Sequence, residues 1–135
     1  MRNALFHAPP TRSEGGLTWV RLGTAAVLLV HPLSRLVHHA VPVFGEWLAA
    51  QGIPMGVAVA YAVTVTELLA GLALVTRRLV VPACAALIFI LGMGIKMVHA
   101  QEGWFVVGGG RNGVEYSVLL ILCLVGLAWA HLPRR

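Results

Sequence analysis

Charge is scarce in this sequence. Of its 135 residues only 11% are Asp, Glu, Lys or Arg, while 59% are hydrophobic, and the mean hydropathy is +0.84. A soluble domain carries about 25% charged residues, so the composition excludes that class and places the chain in a bilayer. Cysteine is nearly absent as well. Cys84 and Cys123 stand far apart and no Cys-x-x-Cys occurs, so a dithiol relay of the kind that four-helix membrane reductases use has no ligands. Any redox chemistry must then come from a bound cofactor, a quinone or a partner. No Lys-Ser/Thr follows the glycines of 108–113, which argues against a phosphate cradle. No internal repeat supports a transporter built from inverted halves, and there is no low-complexity tail. At this length the chain holds about four spans of ~20 residues, leaving no room for a soluble catalytic domain.

The apolar runs give the spans directly: Leu17–Val37, Gly56–Val75, Leu79–His99 and Val114–Leu132. Each approaches the ~20 residues that cross the hydrocarbon layer as a helix. The expected fold is therefore an all-α integral membrane four-helix bundle, antiparallel, with residues 1–16 as a cytoplasmic N-terminal segment and 17–135 as the transmembrane domain. The first span follows a basic stretch but contains Arg21 and lacks a clear small-x-small cleavage site, so it reads as retained.

Orientation follows from Lys and Arg near span ends, which stay cytoplasmic. Arg2, Arg12, Arg77, Arg78, Arg134 and Arg135 share one side if both termini are inside, against Arg35 and Arg111 on the other. The tryptophans fit independently, with Trp19 and Trp129 near the inner ends of the first and last spans and Trp47 and Trp104 in the outer loops. The net charge of +5 then reads as inner-leaflet anchoring and not as a nucleic-acid surface.

The connections differ in character. Thr76-Arg77-Arg78 is a minimal turn, so the second and third spans are antiparallel neighbours. In the first outer loop, Phe44, Trp47 and Leu48 recur at helical spacing before Gly52-Ile53-Pro54, which predicts a short helix lying in the outer interface.

Five ionisable residues fall inside or at the rims of the spans: Arg21, Glu67, Lys96, His99 and Glu115. Such groups cost roughly 2.5–3.5 kcal/mol each even on lenient insertion scales, so they pair and mark sites. Counting ~1.5 Å per residue, Glu67 lies near the midplane and Arg21 begins about 6 Å above the inner face, within reach for a buried Arg21–Glu67 ion pair. That pair serves either function or helix register. Gly92, Lys96 and His99 share a face by i, i+4, i+7 spacing. Glu115 starts the last span at the same depth, with Tyr116 beside it. Lys96, His99 and Glu115 are thus the candidate catalytic cluster, in which a carboxylate tunes the histidine for proton exchange. Tyr116 and Trp104 are the candidate cofactor-packing residues. Against this, Lys96 has the alternative of snorkelling to the headgroups. His31 before Pro32 reads as a satisfied histidine at a kink. His38 and His39 point apart in any regular structure, so no metal site is expected there, while His31 and His99, both in outer halves, leave a single haem as a minor alternative. Gly71 reads as a close helix contact.

These residues carry a resemblance. Val20-Arg21-Leu22-Gly23, the stretch from Phe44 to Pro54, Glu67-Leu68-Leu69-Ala70-Gly71-Leu72-Ala73-Leu74, His99 followed by Gly103-Trp104-Phe105, and Gly113-Val114-Glu115-Tyr116 resemble the DoxX family from Leu17 to the C-terminus. The resemblance implies a four-helix protein of the bacterial inner membrane with Arg21, Glu67, His99 and Glu115 as its shared polar set. The family takes its name from the membrane subunit of a thiosulfate:quinone oxidoreductase, and other members are associated with redox or detoxification systems. Pro32 stands where a glycine is usual, and Leu72 replaces the second glycine of the usual Glu-x-x-Gly-Gly; both changes affect packing and leave the charged set intact. Two functions remain open. One is an oxidoreductase subunit that holds a quinone head group near His99 and Glu115, with no intrinsic cofactor. The other is a non-catalytic structural or assembly subunit, docking on a larger membrane complex or a homo-oligomer. Fold alone does not choose between them.

Overall fold

A computed structural model of the chain describes residues 10–133, so Arg2, Arg134 and Arg135, which entered the orientation argument, lie outside the described residues. Among the described residues every regular element is helical: α1 (Pro10–Val37), α2 (Val41–Ala50), α3 (Gly56–Thr76), α4 (Val80–Met97) and α5 (Glu115–Ala130), with a 3-10 turn at His99–Glu102. Three stretches, Arg12–Val37, Gly56–Thr76 and Val80–Met97, are long and apolar enough to cross a membrane. At 16 residues, α5 is shorter than the ~20 of a full span.

Helix α1 starts ahead of the apolar run and passes through Pro32, whose ring is fully buried, so the proline does not end it. The order of contacts makes α1 and α3 antiparallel. Arg21 meets Leu74, Leu29 faces Gly71, and Arg35 meets Glu67. At Gly71 the expected close contact is present, because a Cβ there would sit 2.6 Å from Leu29 Cγ. The apolar core joins Ala25 and Leu28 of α1, Leu74 of α3, Leu87 of α4, and Leu120, Leu124 and Leu127 of α5. Helix α3 packs on α1, α2 and α4, and α5 packs on α4 and more lightly on α1.

The short helix expected in the first outer loop is α2. It lies tightly against the start of α3, where Gly45 and Gly56 remove the side chains that would hold the backbones apart. A Cβ on Gly45 would come 2.8 Å from Val57 N, and one on Gly56 2.7 Å from Ala49 N. A second apolar cluster of Val41, Leu48 and Ala60, flanked by Phe44, Val59 and Met97, seals this contact.

The α3–α4 turn is a Schellman motif. Arg77 is left-handed at φ 59°, its N–H donates to Leu74 O at 3.3 Å, and Arg78 N–H donates to Ala73 O at 3.0 Å. A left-handed Leu79, φ 52°, then starts α4. The ends of the molecule are therefore distinct. One carries this turn, the start of α1 and the end of α5; the other, the loop end, carries α2 and the 98–114 segment.

Candidate functional site

The expected Arg21–Glu67 pair is not formed. Arg21 Nη1 instead donates to the carbonyls of Leu74 and, at 2.9 Å, Val75. These are among the last carbonyls of α3, which have no partner within the helix and lie at the negative end of its dipole, so a buried cation is well placed there. Glu67 is about two turns, ~10 Å, farther along α3. Its partner is Arg35, whose Nη2 donates to Glu67 Oε2, with the two side chains only 17% and 12% exposed. Arg35 was assigned by sequence to the outer charge balance. It lies in α1 because the helix continues past Pro32, and one further turn carries its side chain back over α3.

Aromatic groups and backbone hold Arg35 in place. Its guanidinium carbon stands 4.8 Å from the centroid of Phe44, on α2, and its Nε donates to His31 O at 3.4 Å. Phe44 in turn stacks on Trp47, with centroids 6.1 Å apart and planes at 14°. Docking of α2 through Gly45 and Gly56 is thus what brings an aromatic face to the ion pair.

Around the pair lie two adjoining cavities. The larger, about 680 Å³, has Arg35, Glu67, His31, His99, Asn112 and Tyr116 among its lining residues, with Leu28, Leu87 and Leu120 as apolar floor. The smaller, about 320 Å³, shares Arg35, Phe44 and Glu67 and is otherwise walled by apolar groups such as Trp47, Val63, Phe89 and Met93. Glu67 Oε1 makes no hydrogen bond, and no buried side-chain oxygen among the described residues lacks a partner. That oxygen is therefore accessible, and Glu67 lines both cavities.

The expected outer cluster divides. His99 and Tyr116 reach the large cavity, but Lys96 and Glu115 do not line it. The common face inferred for Lys96 and His99 requires an unbroken helix, and α4 ends at Met97, where Val98 departs to φ −127° and ψ −64° before the 3-10 turn. Lys96 is left exposed. Glu115 does not bind His99. Its Oε1 accepts the N–H of Val106 at 2.9 Å, and its own N–H donates to Trp104 O at 3.1 Å, fastening the 98–114 segment to the start of α5. Trp104 is exposed and lies off both cavities. The partner of His99 is the carbonyl of Asn112, 2.8 Å from Nδ1. A carbonyl only accepts, so Nδ1 is the donor, and in the neutral ring Nε2 carries the lone pair.

Sequence reasoning missed Arg35, His31 and Asn112 as cavity residues. The signal for the first two was their i, i+4 spacing on one face of a span that runs through Pro32 to Val37; counting Arg35 with the outer charges set it aside. Asn112 becomes adjacent to His99 only through the fold of the loop, where it adopts φ 61°.

Long apolar helices enclosing a largely buried ion pair beside a polar cavity define an all-helical integral membrane protein. A sequence model of the DoxX family matches residues 16–100, more than half of the chain, and the protein belongs to that family. The matched region contains Arg21, Arg35, Glu67 and His99 and ends before Glu115 and Tyr116. No curated protein and no solved structure matches the chain at a significant level.

Proposed function

We propose that this protein is a subunit of a membrane oxidoreductase and that its loop-end cavity receives the head group of a quinone. One observation carries the reading: a chamber of about 680 Å³ with a largely buried Arg35–Glu67 pair and two histidines on its wall opens beside an apolar chamber of about 320 Å³. Polar groups converging on one compartment and apolar walls on the next suit an amphiphile with a polar ring and a hydrocarbon tail. A quinone takes up two electrons, which the partner enzyme supplies, and two protons. His99 and Tyr116 are the groups of this chain placed to exchange those protons, and Arg35 would orient a carbonyl oxygen. In this reading α1, α3, α4 and α5 form a four-helix antiparallel bundle in the bacterial inner membrane, with both termini cytoplasmic and the cavity in the outer half.

A second reading, a structural or assembly subunit, draws support from a different observation. Three of the polar side chains at this end already have partners within the chain: Arg35 with Glu67, His99 with Asn112 O, and Glu115 with Val106 N. Mass spectrometry of the organic extract from protein purified in mild detergent separates the two. The first reading expects near-stoichiometric quinone, lost in Glu67→Gln and in His99→Gln and kept in Glu115→Gln, where the amide oxygen still accepts from Val106. Wild-type protein that carries no quinone, and takes up none when it is supplied in proteoliposomes, would leave the assembly reading.

A further inference from the structure

At the opposite end of the molecule lies a third cavity, of about 400 Å³, whose lining includes Glu14, Arg21, Arg77 and His131. It is walled by α1, the α3–α4 turn and the end of α5, and nothing in the quinone reading uses it. Its electrostatics are distinctive for a site within helices so poor in charge. Two guanidinium groups and an imidazole face one carboxylate, leaving an excess of positive charge.

Arg21 is the anchor. It is only 7% exposed, and of its nitrogens Nη1 alone has partners, the Leu74 and Val75 carbonyls. No buried side-chain nitrogen among the described residues lacks a partner. Nε and Nη2 are therefore accessible, and Arg21 lines this cavity. A guanidinium fixed on one edge presents its remaining N–H groups as a rigid fork, the geometry that suits two oxygens of a phosphate. Arg77, held left-handed by the Schellman turn, brings further N–H donors, and His131, whose Nδ1 donates to Leu127 O at 2.8 Å, adds one at Nε2 in its imidazolium form.

The level of the cavity in the bilayer points to the source of the phosphate. Trp19, Leu79 and Trp129 ring this end of the molecule at 80%, 76% and 79% exposure. Exposed tryptophans on spanning helices sit at the headgroup level, and basic pockets between helices at that level suit anionic lipid headgroups. We infer that the Arg21–Arg77–His131 cavity binds the phosphate of an anionic phospholipid headgroup.

The test uses the full chain in dodecylmaltoside micelles, titrated with phosphatidylglycerol, phosphatidylcholine of the same acyl chains, or inorganic phosphate. Native mass spectrometry reads the bound lipid and thermal unfolding reads the stabilisation. One phosphatidylglycerol should bind saturably and in preference to phosphatidylcholine. Arg77→Asn combined with His131→Gln should weaken it about tenfold, the loss of a charge-assisted hydrogen bond; Asn tolerates the left-handed backbone at 77. Arg78→Gln, one residue away and outside the cavity, should leave binding unchanged. Saturable stabilisation by inorganic phosphate with the same sensitivity to the variants, and no lipid preference, would keep the anion site but overturn the lipid source. Equal losses in Arg78→Gln and the cavity variants, or no discrimination among the three ligands, would overturn the site itself.

Discussion

The charged residues of the helices are distributed by what each can reach within its own layer of the molecule. Arg21 caps the carbonyl end of α3, Arg35 pairs with Glu67, and Glu115 holds a loop N–H. Each solves the cost of taking a polar group out of water, but only the Arg35–Glu67 pair sets two formal charges against each other, and its loss should be the most asymmetric. Arg35→Leu is expected to cost about 3–5 kcal/mol by stranding Glu67, while the double change Arg35→Leu with Glu67→Leu recovers most of it. A double-mutant cycle on unfolding in mixed micelles measures this coupling. The same cycle with Arg21→Leu and Glu67→Leu should be additive, since the two side chains do not meet; strong coupling there and additivity at 35/67 would reverse the assignment.

Among the elements, α2 is the one whose position decides the site, because Phe44 lies over Arg35 only while α2 is docked on α3. Gly45 makes that docking possible, and a methyl there meets backbone, Val57 N at 2.8 Å. At Gly71 the added methyl meets the flexible end of Leu29, which can change rotamer. Gly45→Ala should therefore be the more costly change, by about 1–3 kcal/mol, the usual range for overpacking, and should also weaken ligand retention in the large cavity. Gly71→Ala should be milder and leave retention intact. Equilibrium unfolding of the two variants checks the order, and a costlier Gly71→Ala would mean that α2 is not held as described.

At the level of the whole molecule, the polar cavity and the basic cavity lie at opposite ends of the long helices. With Trp19 and Trp129 at one end and Trp47 and Trp104 at the other, the proposed topology places the basic cavity at the inner leaflet and the polar cavity toward the outer side. Single cysteines introduced at Arg12, Arg78 and Trp104, in a background of Cys84→Ala and Cys123→Ala, report this with an impermeant thiol reagent on intact cells. Labelling is expected at 104 alone. Modification of residue 12 or 78 from outside would invert the topology, and equal access at 78 and 104 would show that α4 does not span.

Composition and hydropathy were sufficient for the membrane class, the long helices and the short helix α2, because burial in lipid demands continuous apolar helix and that demand is written residue by residue. The close contact at Gly71 was legible for the same reason, since a missing side chain marks where a neighbour can approach. Which charge meets which was not legible. It depends on Arg35, at the outer end of a span already drawn through Pro32, turning its side chain back to Glu67 of α3, and on α4 stopping at Met97, which separates Lys96 from His99. Linear spacing predicts neighbours only along an unbroken helix. Pairing across helices is set by depth, crossing and side-chain reach, and those are properties of the packed molecule that only the tertiary structure decides.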